Sequence, residues 1–205
     1  MVMDIDPSHH IGAVPGVAIE KSTNGEDADT PTGPLLPVGD LARFLYQVSN
    51  TGNVPVTITS VSDDNGTPGD TGDDISPSPI ESNGTNIGDE NANGLLDETE
   101  TWFYEASRTV TLGQYTNIGK VVAFDAIEQM VMDENPSNHF GFVPDPQVQI
   151  EKLTNGEDAD VPTGPLVTVG DEVLFRYEVS NPGNVPLNVS SVIDDNGTPG
   201  DTGDD

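Results

Sequence analysis

The sequence predicts an all-β protein built as antiparallel β-sandwiches in tandem. Three observations predict it: short segments of two-residue apolar alternation, Gly/Asn/Pro turn signals between them, and one long internal repeat. Residues 17–74 match 148–205 at a constant offset of 131, with 42 of 58 positions identical. A shorter echo pairs 2–12 with 131–141 at an offset of 129. The expected organisation is a tail or linker of a preceding repeat (1–16), one complete repeat (17–147) and the first half of the next (148–205). A period this long is one small domain per repeat, not one turn of a solenoid.

The segment 41–49 carries the clearest strand pattern. Ala42, Phe44, Tyr46 and Val48 alternate with Arg43, Leu45 and Gln47, and Val173, Phe175, Tyr177 and Val179 take the same face in the second copy. On the other face the copies swap Leu and Arg (Arg43 and Leu45 against Leu174 and Arg176), as a partly covered surface allows. Further strands are expected at 17–21, 56–61, 75–81 (weakened by Pro77 and Pro79), 101–108, 115–124 and 128–133. Asn50-Thr51-Gly52-Asn53-Val54-Pro55 supplies turn residues that tolerate positive φ. Seven short strands in one repeat suggest a sandwich of immunoglobulin-like type. The only helical hint, 125–129, reads as a turn. The trailing half-repeat holds three strands, so its apolar faces need further chain or a neighbouring subunit to cover them.

Composition excludes several classes. The 205 residues carry 36 acidic against 6 basic side chains, a formal charge of −30, and no cysteine. Such a chain repels nucleic-acid phosphate. No apolar run approaches the ~20 residues of a membrane span, and thiolate metal sites and disulfides are impossible. No nucleophile elbow, phosphate-cradling glycine loop or H-E-x-x-H pair is present, so no enzyme is expected. His9, His10 and His139 fall in Pro-Ser-x-His segments that read as joints between repeats, and Trp102 reads as a core aromatic.

The acidic loops carry the chemistry. Asp89-Glu90-Asn91-Ala92-Asn93-Gly94-Leu95-Leu96-Asp97-Glu98-Thr99-Glu100 fits D-x-[DN]-x-[DN]-G-x5-E at every specified position. In that pattern Asp89, Asn91 and Asn93 converge as oxygen ligands, Gly94 makes the sharp turn, and Leu95 offers its carbonyl. Asp97 acts directly or through water, and Glu100 closes the shell with two oxygens. Leu96 would anchor the loop to the core. Prolines upstream and a strand pattern from Thr101 make this an EF-hand-like calcium loop inserted between strands, not a helix–loop–helix sensor. Two more loops gather carboxylates. One holds Asp63, Asp64, Asn65, Asp70, Asp73 and Asp74, recurring with Asp194, Asp195 and Asp201; the other holds Glu26, Asp27 and Asp29, recurring as Glu157, Asp158 and Asp160. Like charges crowded this way repel unless a hard cation sits among them, so several calcium ions are expected in place of magnesium, which avoids all-protein cages.

Ile19-Glu20-Lys21, the Gly25-Glu26-Asp27-Ala28-Asp29 loop, Val48-Ser49-Asn50-Thr51-Gly52-Asn53-Val54-Pro55 and Asp63-Asp64-Asn65-Gly66 carry a resemblance. Over nearly its whole length the chain resembles the acidic immunoglobulin-like tandem repeats of very large bacterial and archaeal surface proteins. It is also similar in plan to the calcium-binding B repeats of serine-aspartate surface adhesins. The resemblance implies a secreted, calcium-stiffened rod acting as stalk, adhesin or fibre at the cell surface or in a biofilm matrix. Its partners would be neighbouring repeats or identical subunits, with no nucleic acid and no membrane insertion. The alternatives are an adhesin module gripping a glycan, mineral surface or host protein, with Phe140 and Phe142 the nearest aromatic candidates, and a subunit assembling by strand exchange.

Overall fold

In the computed structural model, residues 3–200 and 202–203 are described, and none of them is helical. Unit 1 ends at Val143 and unit 2 begins at Pro144. Unit 1 holds β1 (Val17–Thr23), β2 (Glu26–Asp27), β3 (Leu35–Pro37), β4 (Leu41–Asn50), β5 (Thr57–Asp63), β6 (Ser78–Pro79) and β7 (Glu81–Ser82). It continues with β8 (Thr85–Asn86), β9 (Thr101–Thr109), β10 (Gly113–Phe124) and β11 (Met130–Phe142). The five-stranded sheet has the order β2-β1-β4-β9-β6, and the four-stranded sheet the order β3-β11-β10-β5. Pairing is antiparallel except β3 with β11, which is parallel.

The alternating face of β4 builds the core: Ala42, Phe44, Tyr46 and Val48 are all buried. They lie in one apolar cluster with Val17 and Ile19 of β1, Trp102 and Tyr104 of β9, and Val121 and Ala123 of β10. Both sheets feed this cluster, an arrangement consistent with a β-sandwich. Arg43 and Leu41 on the opposite face are exposed. The segment 125–129 is the turn of the β10–β11 hairpin. One Asp125 oxygen accepts the amides of Ile127 and Gln129 (3.0 and 2.8 Å), and Glu128 takes φ 63°.

Two expectations need correction. The segment 75–81 is not one strand, because Pro77 and Pro79 remove ladder donors and leave only the two-residue β6 and β7. More consequentially, Pro136-Ser137-Asn138-His139 is no joint. It lies inside β11, paired with β10 (Ile118 opposite Pro136, Tyr115 opposite His139). Beside β11, β3 reaches only Phe140–Phe142, so no strand on that side needs a Pro136 donor. Alternate β11 side chains finish the free edge of β1. Asp133 Oδ2 accepts the Ile19 amide (2.9 Å), Asn135 Oδ1 accepts the Lys21 amide (3.0 Å), and Ser137 Oγ bonds Thr23 Oγ1. The stretch of β1 that the two-residue β2 leaves unpaired is thereby closed by side chains. The echoing Pro7-Ser8-His9-His10 lies in no strand and is exposed coil.

His139 is fully buried with neither ring nitrogen hydrogen-bonded, its ring 4.7 Å from that of Tyr115 and 6.3 Å from that of Phe44. Burial, followed by the nearby cations Arg108 of β9 and Lys21 of β1, pulls its pKa down to about 4. The unfolded chain takes this proton below about pH 6.5, the folded chain only near pH 4. The unfolded state therefore binds more protons in that window, and stability falls as pH falls, by about 3 kcal/mol in total. Melting of His139→Phe from pH 7 to 4 should lack this loss; equal acid sensitivity in both proteins would refute it.

Unit 2 holds β12 (Gln149–Thr154), β13 (Glu157–Asp158) and β14 (Phe175–Ser180) in the order β13-β12-β14. Its registers copy those of β2-β1-β4: Ile150 faces Val179 as Ile19 faces Val48. The faces differ. Ile150, Phe175 and Val179 are 53%, 46% and 38% exposed, against 4%, 2% and 0% for Ile19, Phe44 and Val48. The described residues of unit 2 make half of a core.

Candidate metal centre

The loop 89–100 runs from β8 to β9 and is pinned from below. Leu96 is fully buried and exchanges both backbone hydrogen bonds with Val56 (2.8 and 3.1 Å). Gly94 takes φ 75°, the left-handed turn that a Cβ would strain. The flanks are strands, as the prolines and the Thr101-Trp102 pattern predict. Asp89 and Glu100 are buried, and backbone donors hold them. Asp89 accepts the amides of Asn93 (3.2 Å) and Gly94 (3.0 Å). Glu100 accepts the amides of Glu90 (3.0 Å) and Asp97 (3.2 Å), and its Oε2 also takes the Trp102 indole N–H at 3.2 Å. Trp102 is thus a core aromatic that also orients the last acidic residue of the loop. Asn91 Oδ1 and Asn93 Oδ1 accept the amides of Asn93 and Leu95, winding the chain inwards. Their Nδ2 groups both donate to Asp97 Oδ2, at 2.7 and 3.0 Å.

The donor chemistry fits a hard cation: three carboxylates and two carboxamides fall on one short loop with no ammonium or guanidinium bonded to them. The fit has a condition. Asn91 and Asn93 turn nitrogens, not oxygens, towards Asp97, so each amide must rotate by a half-turn to present its oxygen. The acidic oxygens of this loop are also more spread than those of two other groups.

Those groups are Glu20, Asp27 and Asp29, and Glu151, Asp158 and Asp160, each with carboxylate oxygens within 4.8 Å of one another. Asp27 and Asp29 belong to the acidic loop read from the sequence, but Glu20 comes from β1, placed beside them when β2 folds back on it. Glu26 is not in the group, nor is Glu157 in the second. Alternation explains both: Glu26 pairs with Thr23 at the hairpin end, while Asp27 and Asp29 share the side on which Glu20 stands. Ala28, buried between them, accepts a hydrogen bond from Asn138 Nδ2 of β11 (2.7 Å), tying the loop to the core. Desolvation, then Asp29 and Asp27, raise the Glu20 pKa; Asp158 above all raises that of Glu151.

The loop starting at Asp63 behaves differently, and Asp63 itself is a buried core residue. Its Oδ2 meets Lys21 Nζ at 2.7 Å and accepts the Tyr46 hydroxyl at 2.6 Å, while Oδ1 accepts Asn117 Nδ2 at 2.6 Å and the Asn65 amide at 3.0 Å. Both side chains of the ion pair are fully buried. Burial, only partly offset by Asp63, lowers the Lys21 pKa to about 8. Asp194 is held in the same way, by Lys152 and Tyr177. Asp64 accepts the amides of Gly66 and Ile118, and Asp73 binds Asn65 and Thr67 side chains, so these oxygens shape the loop itself. Asp70 and Asp74 are exposed, Asp195 repeats the turn bond of Asp64 with Gly197, and Asp201 lies outside the described residues. Compared with known proteins, the chain matches no family model, and no curated protein sequence matches it.

Proposed function

We propose that the chain is a structural calcium-binding repeat of an extracellular filament, stalk or giant surface protein, its immunoglobulin-like sandwich made rigid by Ca2+ in acidic loops. The observation that carries this is the loop 89–100: a twelve-residue calcium spacing whose Leu96 is buried in the core and whose Asp89 and Glu100 are held by backbone donors. An ion there joins β8, β9 and the start of β5 into one unit. The clusters at Glu20 and Glu151 add places where a divalent cation would relieve repulsion between carboxylates. An ion bound only by the folded state stabilises it by RT ln(1+[L]/Kd). With the ~10⁻⁴–10⁻³ M affinities of extracellular modules, ~10 mM calcium yields about 1.4–2.7 kcal/mol per site. Replacing Glu100 with Gln should remove most of the loop's share of the calcium-dependent rise in melting temperature. A variant rise equal to that of the parent would discard this loop as the site.

Assembly by strand exchange has its own observation: the half-core of unit 2, with Ile150, Phe175 and Val179 exposed, suits strands from a neighbouring subunit. Concentration-dependent mass in solution scattering tests it, and a monomer at all concentrations would reject it. The adhesin alternative finds less support. Phe140 and Phe142 are half-buried inside β11, and no described Phe, Tyr or Trp of unit 1 is exposed.

A further inference from the structure

Lys21 of β1, Asp63 of β5 and Asn117 of β10 meet in the interior of unit 1, each fully buried or within 1% of it. One carboxylate bridges an amine and a carboxamide. Lys21 Nζ lies 2.7 Å from Asp63 Oδ2, and Asn117 Nδ2 lies 2.6 Å from Asp63 Oδ1. Lys21 Nζ is also 3.3 Å from the Asn117 backbone oxygen, so the amine sits directly beside that residue. The rings of Phe44 and Tyr46 flank the ammonium at 4.7 and 5.6 Å. Asn117 Oδ1 is buried with no hydrogen-bond partner. An orphaned carboxamide oxygen in a core is costly and rare, and here it belongs to the group next to a buried amine and an acid.

We propose that Lys21 and Asn117 become joined by an amide bond between Lys21 Nζ and Asn117 Cγ, with Asp63 carrying the protons. Its three components are those of an acid-assisted acyl transfer held in place by the fold. A proton passes from Lys21 Nζ to Asp63, which removes two charges from a dry interior. A half-turn of the carboxamide sets Oδ1 against the protonated Asp63, which supports the negative charge that gathers there. The Nζ lone pair adds to Cγ, and protons relayed by Asp63 move from Nζ to Nδ2. The Cγ–Nδ2 bond then breaks and ammonia departs with the bonding pair. Counted from the ion pair, an ammonium, a carboxylate and a carboxamide become a secondary amide, the same carboxylate and one ammonium ion. Nothing is oxidised or reduced, and no co-reactant enters.

The bond would tie the five-stranded sheet to the four-stranded sheet across the core, enclosing the chain between positions 21 and 117. It is independent of calcium. Lys152, Tyr177 and Asp194 repeat the Lys–Tyr–Asp contacts in unit 2, but among residues 1–205 only Lys21 has an asparagine in the place of Asn117. Bonding of Lys21 to Asp63 itself, with loss of water, is disfavoured because no second acid is hydrogen-bonded to Asp63 to assist it.

Mass spectrometry of the denatured full chain decides. The expected mass is that of the sequence less one ammonia. A succinimide at an Asn-Gly pair would lose the same mass, so proteolysis must also yield one branched peptide joining Lys21 to Asn117. Lys21→Arg and Asn117→Ala should have full mass and no branch. Asp63→Asn, which keeps both reacting groups, should do the same, while a cross-linked Asp63→Asn would overturn the role of the carboxylate. Wild-type chain at full mass, or a branch at Asp63 with loss of water, would overturn the bond itself, whether or not any variant folds.

Discussion

In chains in which Lys21 and Asn117 are not yet joined, replacing Asp63 with alanine is expected to destabilise unit 1 by about 3–5 kcal/mol, the usual cost of removing one partner from a buried ion pair. The carboxylate takes four bonds, from Lys21, Tyr46, Asn117 and the Asn65 amide. Its loss leaves a buried ammonium without a counter-ion and strips the Tyr46 hydroxyl of its acceptor. Lys21→Met with Asp63→Leu should recover much of the loss relative to that unjoined chain, because the penalty comes from the stranded partner more than from the absent pair. Denaturant unfolding measures both. A cost near that of a surface carboxylate, a few tenths of a kcal/mol, would show that Asp63 is not in the core.

Leu96→Ala is expected to cost about 2–5 kcal/mol, the range for a large buried aliphatic side chain cut to Ala. Leu96 is fully buried at the centre of the acidic loop and paired with Val56 through two backbone bonds. The same substitution should weaken calcium binding, since a loop loosened from the core must be ordered again by the ion. Stability in chelator and calcium affinity should therefore fall together. Lost stability with unaltered affinity would separate the loop from the core energetically.

The core of β4 was legible because a strand with one buried face must alternate, and Phe44 and Tyr46 do so without interruption. The calcium spacing was legible because its positions are consecutive, and Leu96 announced the side facing inwards. Three features were not. In β11 the buried side chains are Ser137, which serves the β1 edge, Asn138, which holds the loop at Ala28, and His139, so hydropathy marks a linker where a strand runs. Asp63 stands in an acidic run whose other members are half-buried or exposed, and only the three-dimensional arrival of Lys21 and Asn117 distinguishes it. Glu20 joins Asp27 and Asp29 through hairpin register, which no sequence motif records.

Calorimetry of the whole chain in excess calcium and in excess chelator, at one pH and ionic strength, tests calcium-dependent rigidity most directly. The expected result is a transition several degrees higher in calcium, with an increment that grows with the logarithm of its concentration. Transitions that superimpose in the two conditions would contradict it.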